Sequence, residues 1–180
     1  MVTLIAAIGI SGSGKTTTLE YLISHLTSEG YKVGAIKHIH REGFTIDREG
    51  TNTWRFTQAG SKITVAFSPE EIAIIKKTKA SLDDLDKVLK MLESEQLDII
   101  FIEGFKGSIS KRPDIVKIIS AKNTDDLETT LKQSVPPIIA ITGLVAKNKP
   151  SASEIPFINL PDEGTQLIEL VKKHLNTKQN

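Results

Sequence analysis

The 180-residue chain has no cysteine. That absence excludes disulfides, thiolate zinc sites and cysteine nucleophiles, and it suits a reducing compartment. No block of lysine and arginine is present to track a nucleic-acid backbone, and the formal net charge is only +1, so nucleic acid is not an expected partner. No apolar run approaches the roughly 20 residues needed to cross a bilayer. No basic segment leads into a long apolar stretch either, and the expectation is a cytoplasmic protein without membrane association. What is left, at 39% hydrophobic and 25% charged residues, is a globular composition large enough for a proper core. One domain is expected over 1–176, with a frayed polar tail at 177–180.

The most informative segment is Gly9-Ile10-Ser11-Gly12-Ser13-Gly14-Lys15-Thr16. An apolar, β-branched run over 1–8 precedes it, and Leu19, Leu22, Ile23 and Leu26 follow at helical spacing. A G-x-x-x-x-G-K-[ST] loop between strand and helix is a phosphate cradle. Its glycines let successive N–H groups curl around phosphates, Lys15 reaches the β- and γ-phosphates, and the Thr16 hydroxyl completes the shell of a magnesium ion. Gly9, Ser11, Gly12, Ser13, Gly14, Lys15, Thr16 and Thr17 are the candidate nucleotide-binding residues, and Lys15 is also a candidate catalytic residue.

Apolar strands alternate with helical segments along the chain, the pattern of a mostly parallel sheet covered on both faces. The expected fold is α/β, a three-layer P-loop NTPase with helices flanking the sheet and a β-hairpin insertion near 62–76. Strands are predicted over 32–37, 97–102, 114–120 and 137–142, and a short helix over 53–60. Ser81-Leu82-Asp83-Asp84 resembles a capping box opening a helix with Leu85, Leu89 and Leu92. The last helix is expected to begin near Pro161.

Magnesium at the terminal phosphates calls for an acidic group on the opposite side. Glu103 ends a buried apolar strand, where open α/β sheets place ligand contacts, and Gly104 permits close backbone approach. Asp98 opens the same strand and belongs to the far edge. Lys37, His38 and His40 end the second strand on the same sheet edge as the glycine loop, placed to touch substrate, orient water or pair on a metal, and equally readable as polar loop residues. Asp47 is a candidate for magnesium or for positioning the attacking water.

The glycine loop, Lys37-His38-Ile39-His40, Phe44-Thr45-Ile46-Asp47 with Gly50 and Thr53, Ala59-Gly60, and Glu103-Gly104-Phe105-Lys106 together resemble the molybdopterin-guanine dinucleotide biosynthesis protein B (MobB) family over the first two thirds of the chain. That resemblance implies a GTP-binding homodimer with slow GTPase activity. It would assist a partner molybdopterin guanylyltransferase, MobA-like, in attaching GMP to molybdopterin. It also implies phosphate and magnesium at Gly12, Gly14, Lys15 and Thr16, with Glu103 and Asp47 serving metal and water. No Asn-Lys-x-Asp segment follows a strand, so guanine is implied by the resemblance alone. A small-molecule kinase, a metallochaperone GTPase using His38 and His40, and a nucleotide-responsive scaffold are the alternative readings. The arginines are scattered at Arg41, Arg48, Arg55 and Arg112, without an evident arginine finger, so turnover is expected to be slow.

Overall fold

The computed structural model describes residues 2–78, 84–148 and 153–176. The chain divides into two compact units, Met1–His38 with Leu85–Asn180, and Ile39–Asp84.

The first unit begins with β1 (Thr3–Ile8) and α1 (Lys15–Ser28), followed by β2 (Val33–Lys37). The second unit holds α2 (Asn52–Gln58), β3 (Ile63–Phe67) and β4 (Ile72–Lys76). The chain then returns to the first unit through α3 (Leu85–Met91), β5 (Ile99–Glu103), α4 (Lys106–Ile109), β6 (Val116–Ser120), α5 (Thr124–Lys132), β7 (Ile138–Thr142) and α6 (Gly164–Asn176).

The first unit is a five-stranded parallel sheet in the order β2-β5-β1-β6-β7. Because successive side chains of a strand point to opposite faces, β1 feeds two separate cores. Ile5 and Ala7 join Phe101 and Ile118 under Leu19, Leu22 and Leu26 of α1 and Leu167, Val171 and Leu175 of α6. Leu4, Ala6 and Ile8 join Ile100, Ile102 and Ile119 with Leu85 of α3, Ile109 of α4 and Leu127 of α5. Both faces are thus covered, which explains why all six residues of β1 and all five of β5 are buried. The expected α/β class, with its mostly parallel sheet flanked by helices, is observed.

In the second unit, β3 and β4 pair antiparallel, the expected hairpin. The Thr51 hydroxyl caps α2 by accepting the Trp54 N–H at 3.3 Å. Directly opposed residues of a hairpin share a face. Val65 faces Ile74 and Phe67 faces Ile72, and with Ile63 all of them are exposed.

Several boundaries differ from expectation for local reasons. The final helix starts at Gly164 rather than near Pro161, because the Asn159 N–H donates to the Glu163 carboxylate at 2.7 Å and holds 161–163 as a turn. The strand expected from Asp114 starts at Val116, since Arg112 clasps both Asp114 oxygens, at 3.0 and 2.6 Å, and bends the chain before it. Helix α5 was absent from the sequence reading. Asn123 caps it by accepting the Asp126 N–H at 2.9 Å, with Asp125 and Asp126 in its first turn. Ser81, Leu82 and Asp83 of the suggested capping box, and the tail at 177–180, lie outside the described residues.

Candidate functional site

Parallel topology brings the carboxyl ends of all five strands to one edge, where open α/β sheets hold ligands. The glycine loop leaves β1 there, and Gly14 delivers the chain into α1 with no side-chain cap and no acidic residue in the first turn. The first N–H groups of α1 are therefore left for an anion. A chain of buried hydroxyls fixes the loop's base: Thr142 lies 3.0 Å from Thr18 and 2.8 Å from Ser120. Ser13 Oγ is buried within the loop with no hydrogen-bond partner among the described residues.

Register decides the rest. Lys37 of β2 and Ala7 of β1 both lie opposite Glu103 of β5. Lys37 forms an ion pair with Glu103 Oε1, and the Thr16 hydroxyl donates to Glu103 Oε2 at 2.9 Å. Burial alone would raise the Glu103 carboxyl, but the hydrogen bonds from Lys37 and Thr16 and the charges of Lys37 and Lys15 outweigh it and hold the group below the ordinary carboxylate range. Lys15, whose ammonium donates to the Ile10 carbonyl at 2.6 Å, is lowered from the usual lysine value chiefly by burial. Glu103 opposes that shift, while Lys37, Lys106 and Lys122 reinforce it by repulsion. Lys37 and Lys15 thus flank one carboxylate, and Lys106 and Lys122 add further positive charge felt by Lys15, an arrangement suited to a polyanion.

Of the sequence candidates, Lys15, Thr16, Lys37 and Glu103 come together directly. His38 adjoins them: its N–H donates to the Glu103 carbonyl at 2.8 Å, its Nδ1 accepts the Phe105 N–H at 3.3 Å, and its ring stacks on Phe105 at 4.2 Å. This is a positioning role that holds Phe105 in its left-handed conformation at φ 52°. Gly104 is required between them, because a Cβ there would come within 2.5 Å of the His38 Cβ. Asp98 sits at the opposite edge of the sheet, where its carboxylate accepts the Lys32 N–H at 2.7 Å.

Asp47 and His40 belong to the second unit. The Thr51 and Thr53 hydroxyls donate to Asp47 Oδ1 at 3.1 and 2.9 Å, while its Oδ2 is buried with no partner among the described residues. Among the described residues no group of three or more His, Asp or Glu side chains forms a metal cage. The oxygen donors Thr16 and Glu103 fit magnesium, which keeps waters and phosphates in most of its shell.

Sequence reasoning missed Lys122, whose Cε and Nζ approach Gly12 of the loop to 3.4 Å from where a Cβ would stand. It also missed a cavity of about 330 Å³ beside the loop, between Gly12–Gly14 and the segment after β7. The signal for both was topological: residues just past β6 and β7 share an edge with residues just past β1.

A sequence profile described as molybdopterin guanine dinucleotide synthesis protein B matches residues 4–143. The chain belongs to that family. A Methanocaldococcus jannaschii relative is 38% identical over 124 residues, 68% of this chain and 48% of its own length. A Haemophilus influenzae relative, named a molybdopterin-guanine dinucleotide biosynthesis adapter protein, is 37% identical over 103 residues, 57% of each chain. The matched stretch therefore spans about half the length of these relatives. The crystal structure of Bacillus subtilis MobB superposes with a TM-score of 0.72 at 24% identity, covering 96% of this chain and 97% of that one. That likeness shows a MobB-like fold. The profile match ends at Gly143, where β7 gives way to the cavity wall. No helix among the described residues is long and apolar enough to cross a membrane.

Proposed function

We propose that this MobB-family chain binds GTP with Mg2+ at the Gly9–Thr16 loop and serves as an adapter in forming molybdopterin guanine dinucleotide. It holds nucleotide for a partner guanylyltransferase and turns it over only slowly. The observation that carries this reading is the Lys15, Thr16, Lys37 and Glu103 cluster at the strand ends, with the family membership and the adapter names of its relatives supplying the pathway.

In this reading the loop N–H groups and Lys15 bind the β- and γ-phosphates, and Lys37 neutralises Glu103 and fixes its orientation. Thr16 and Glu103 would hold the magnesium, whose chemistry is to neutralise charge on the terminal phosphates. The family resemblance assigns the attacking water to Asp47. The first unit contains one arginine, Arg112, and Asp86 and Asp114 already engage it. Turnover is accordingly set near the unaided rate of roughly 10⁻⁴ s⁻¹.

The chain acts as a homodimer in this reading. Two-stranded hairpins are marginal alone, and the exposed apolar face of β3 and β4 is suited to a second copy.

Calorimetry with GTP and GDP, with and without magnesium, tests the site on wild type and Lys15→Ala. Affinity for GTP is expected to fall at least about tenfold in the variant, the scale of a charge-assisted hydrogen bond. Unchanged affinity would remove the proposed site. Co-purification with a molybdopterin guanylyltransferase tests the adapter role, and Asp47→Asn is expected to slow hydrolysis while leaving affinity in place.

A further inference from the structure

Lys106 closes the Glu103-Gly104-Phe105-Lys106 segment, yet the nucleotide site proposed above gives it no ligand of its own. It lines a separate cavity of about 400 Å³ together with Gly107, Ser110, Lys111 and Gln133. We propose that this cavity binds a phosphate monoester, the phosphate-bearing second substrate that accompanies the nucleotide. This rests on the nucleotide reading of the glycine loop.

Local structure makes the cavity. Phe105, left-handed at φ 52° and stacked on His38, leads the chain from β5 into the single turn of α4. Ile109 is fully buried and roots that turn in the core. Ser110, also buried, carries two ties. Its hydroxyl donates to the Lys106 carbonyl at 2.6 Å, and its own carbonyl accepts the Val135 N–H at 2.8 Å. The second tie fastens the segment after α5 against the end of α4, so Lys106, Lys111 and Gln133 extend from backbone that is held in place. A Cβ on Gly107 would meet nothing within 4 Å, and the wall is open at that point.

Chemistry selects the occupant. The described residues lining the cavity bring two ammonium groups and a carboxamide, with no carboxylate. Neither Lys106 nor Lys111 has an ion-pair partner among the described residues. Lysine offers only N–H donors, and the glutamine amide adds two more. A phosphate monoester answers that donor set, with a charge of about −1.5 to −2 near neutral pH and three strong acceptor oxygens. The volume lies within the range for small-molecule sites, about 300–1,000 Å³, which leaves room for the group that bears the phosphate. The Lys106 charge is also felt at Lys15, whose ammonium it helps to hold below the usual lysine value. The cavity therefore lies in the same positive field as the glycine loop, and a phosphate in each place relieves the repulsion between their lysines. The family is described by guanine dinucleotide synthesis, and a dinucleotide is joined through two phosphates, one from each half. The half that is not the nucleotide carries the chemistry this cavity recognises.

Calorimetry with phenyl phosphate and inorganic phosphate, on the full chain saturated with GDP and magnesium, reads the cavity while the loop is filled. Phenyl phosphate is expected to bind about threefold or more tighter than inorganic phosphate. Lys111→Ala is expected to weaken it about tenfold, the scale of a charge-assisted hydrogen bond, and Gln133→Ala about threefold. Both positions are exposed, and GDP affinity is expected to stay unchanged in both variants. Absence of binding to wild type, or binding that survives the two substitutions together, overturns the assignment and leaves the loop reading standing. Inorganic phosphate binding as tightly as phenyl phosphate overturns the monoester in favour of a free anion. Should GDP fail to bind, the loop reading falls, and the same titration on nucleotide-free Lys15→Ala still decides the cavity.

Discussion

The two units treat their apolar residues in opposite ways. In the sheet unit, Ile5, Phe101, Ile102 and Ile118 are fully buried between helices on both faces. In the hairpin unit, Phe67 is 80% and Ile74 68% exposed, and Val65, Ile63 and Ile72 stand beside them on one face. The sheet unit therefore carries its own stability. The hairpin unit presents a surface whose stabilisation depends on being covered, since contiguous exposed apolar patches mark interaction sites. Burial and exposure of apolar side chains are divided between segments of one chain.

That division can be broken by mutation. The largest effect is expected from Phe101→Ala, which empties the core under α1 and should lower unfolding free energy by about 3–5 kcal/mol, measured by urea denaturation. Lys117→Ala follows. Lys117 is fully buried in β6 and donates to the carbonyls of Arg112 and Ile115 at 2.6 and 2.8 Å. Its loss removes the Lys117 bond from the Ile115 carbonyl and leaves the Arg112 carbonyl with the 3.4 Å bond from the Ile115 N–H, at a cost of about 1–3 kcal/mol. A milder effect belongs to pH. Because the folded Glu103 carboxyl lies below its ordinary value of 4.5, its pairing stabilises the fold above that pH and is lost as pH falls through the lowered folded value. Glu103→Gln is expected to flatten this part of an acid-unfolding curve, and an unaltered curve would show that the ion pair contributes nothing. Smallest for unfolding is Phe67→Ser with Ile74→Ser, expected within about 0.5 kcal/mol per substitution in the monomer, while sedimentation should report loss of the proposed dimer. Should the double variant unfold as readily as Phe101→Ala, the contrast between the units fails.

The sequence showed most clearly what repeats or punctuates. Unbroken apolar runs such as Ile99–Ile102 announced buried parallel strands, and Ser68-Pro69 announced the turn between β3 and β4. Helix α5 went unread because Thr124–Lys132 is polar apart from Leu127 and Leu131, and tertiary packing on β6 rather than strong periodicity makes it a helix. The site was legible where chemistry is local, as in Gly9–Thr16. It was partly legible at Glu103, whose strand-end position pointed to the edge of the sheet. Lys122, Lys147 and Asn159 were invisible, since only the strand order places them against a loop more than 100 residues earlier in the chain.

One further consequence concerns β2, an edge strand whose partner lies some 66 residues away in sequence. At its start, Lys32 and Asp98 exchange backbone and side-chain hydrogen bonds, and at its end Lys37 meets Glu103. A slip of one residue would separate both pairs and turn every side chain of the strand to the wrong face. The ion pair that shapes the candidate site is thus also an alignment mark for folding. Amide hydrogen exchange along Val33–Lys37 in Glu103→Gln should rise relative to β1, reporting fidelity of assembly rather than chemistry.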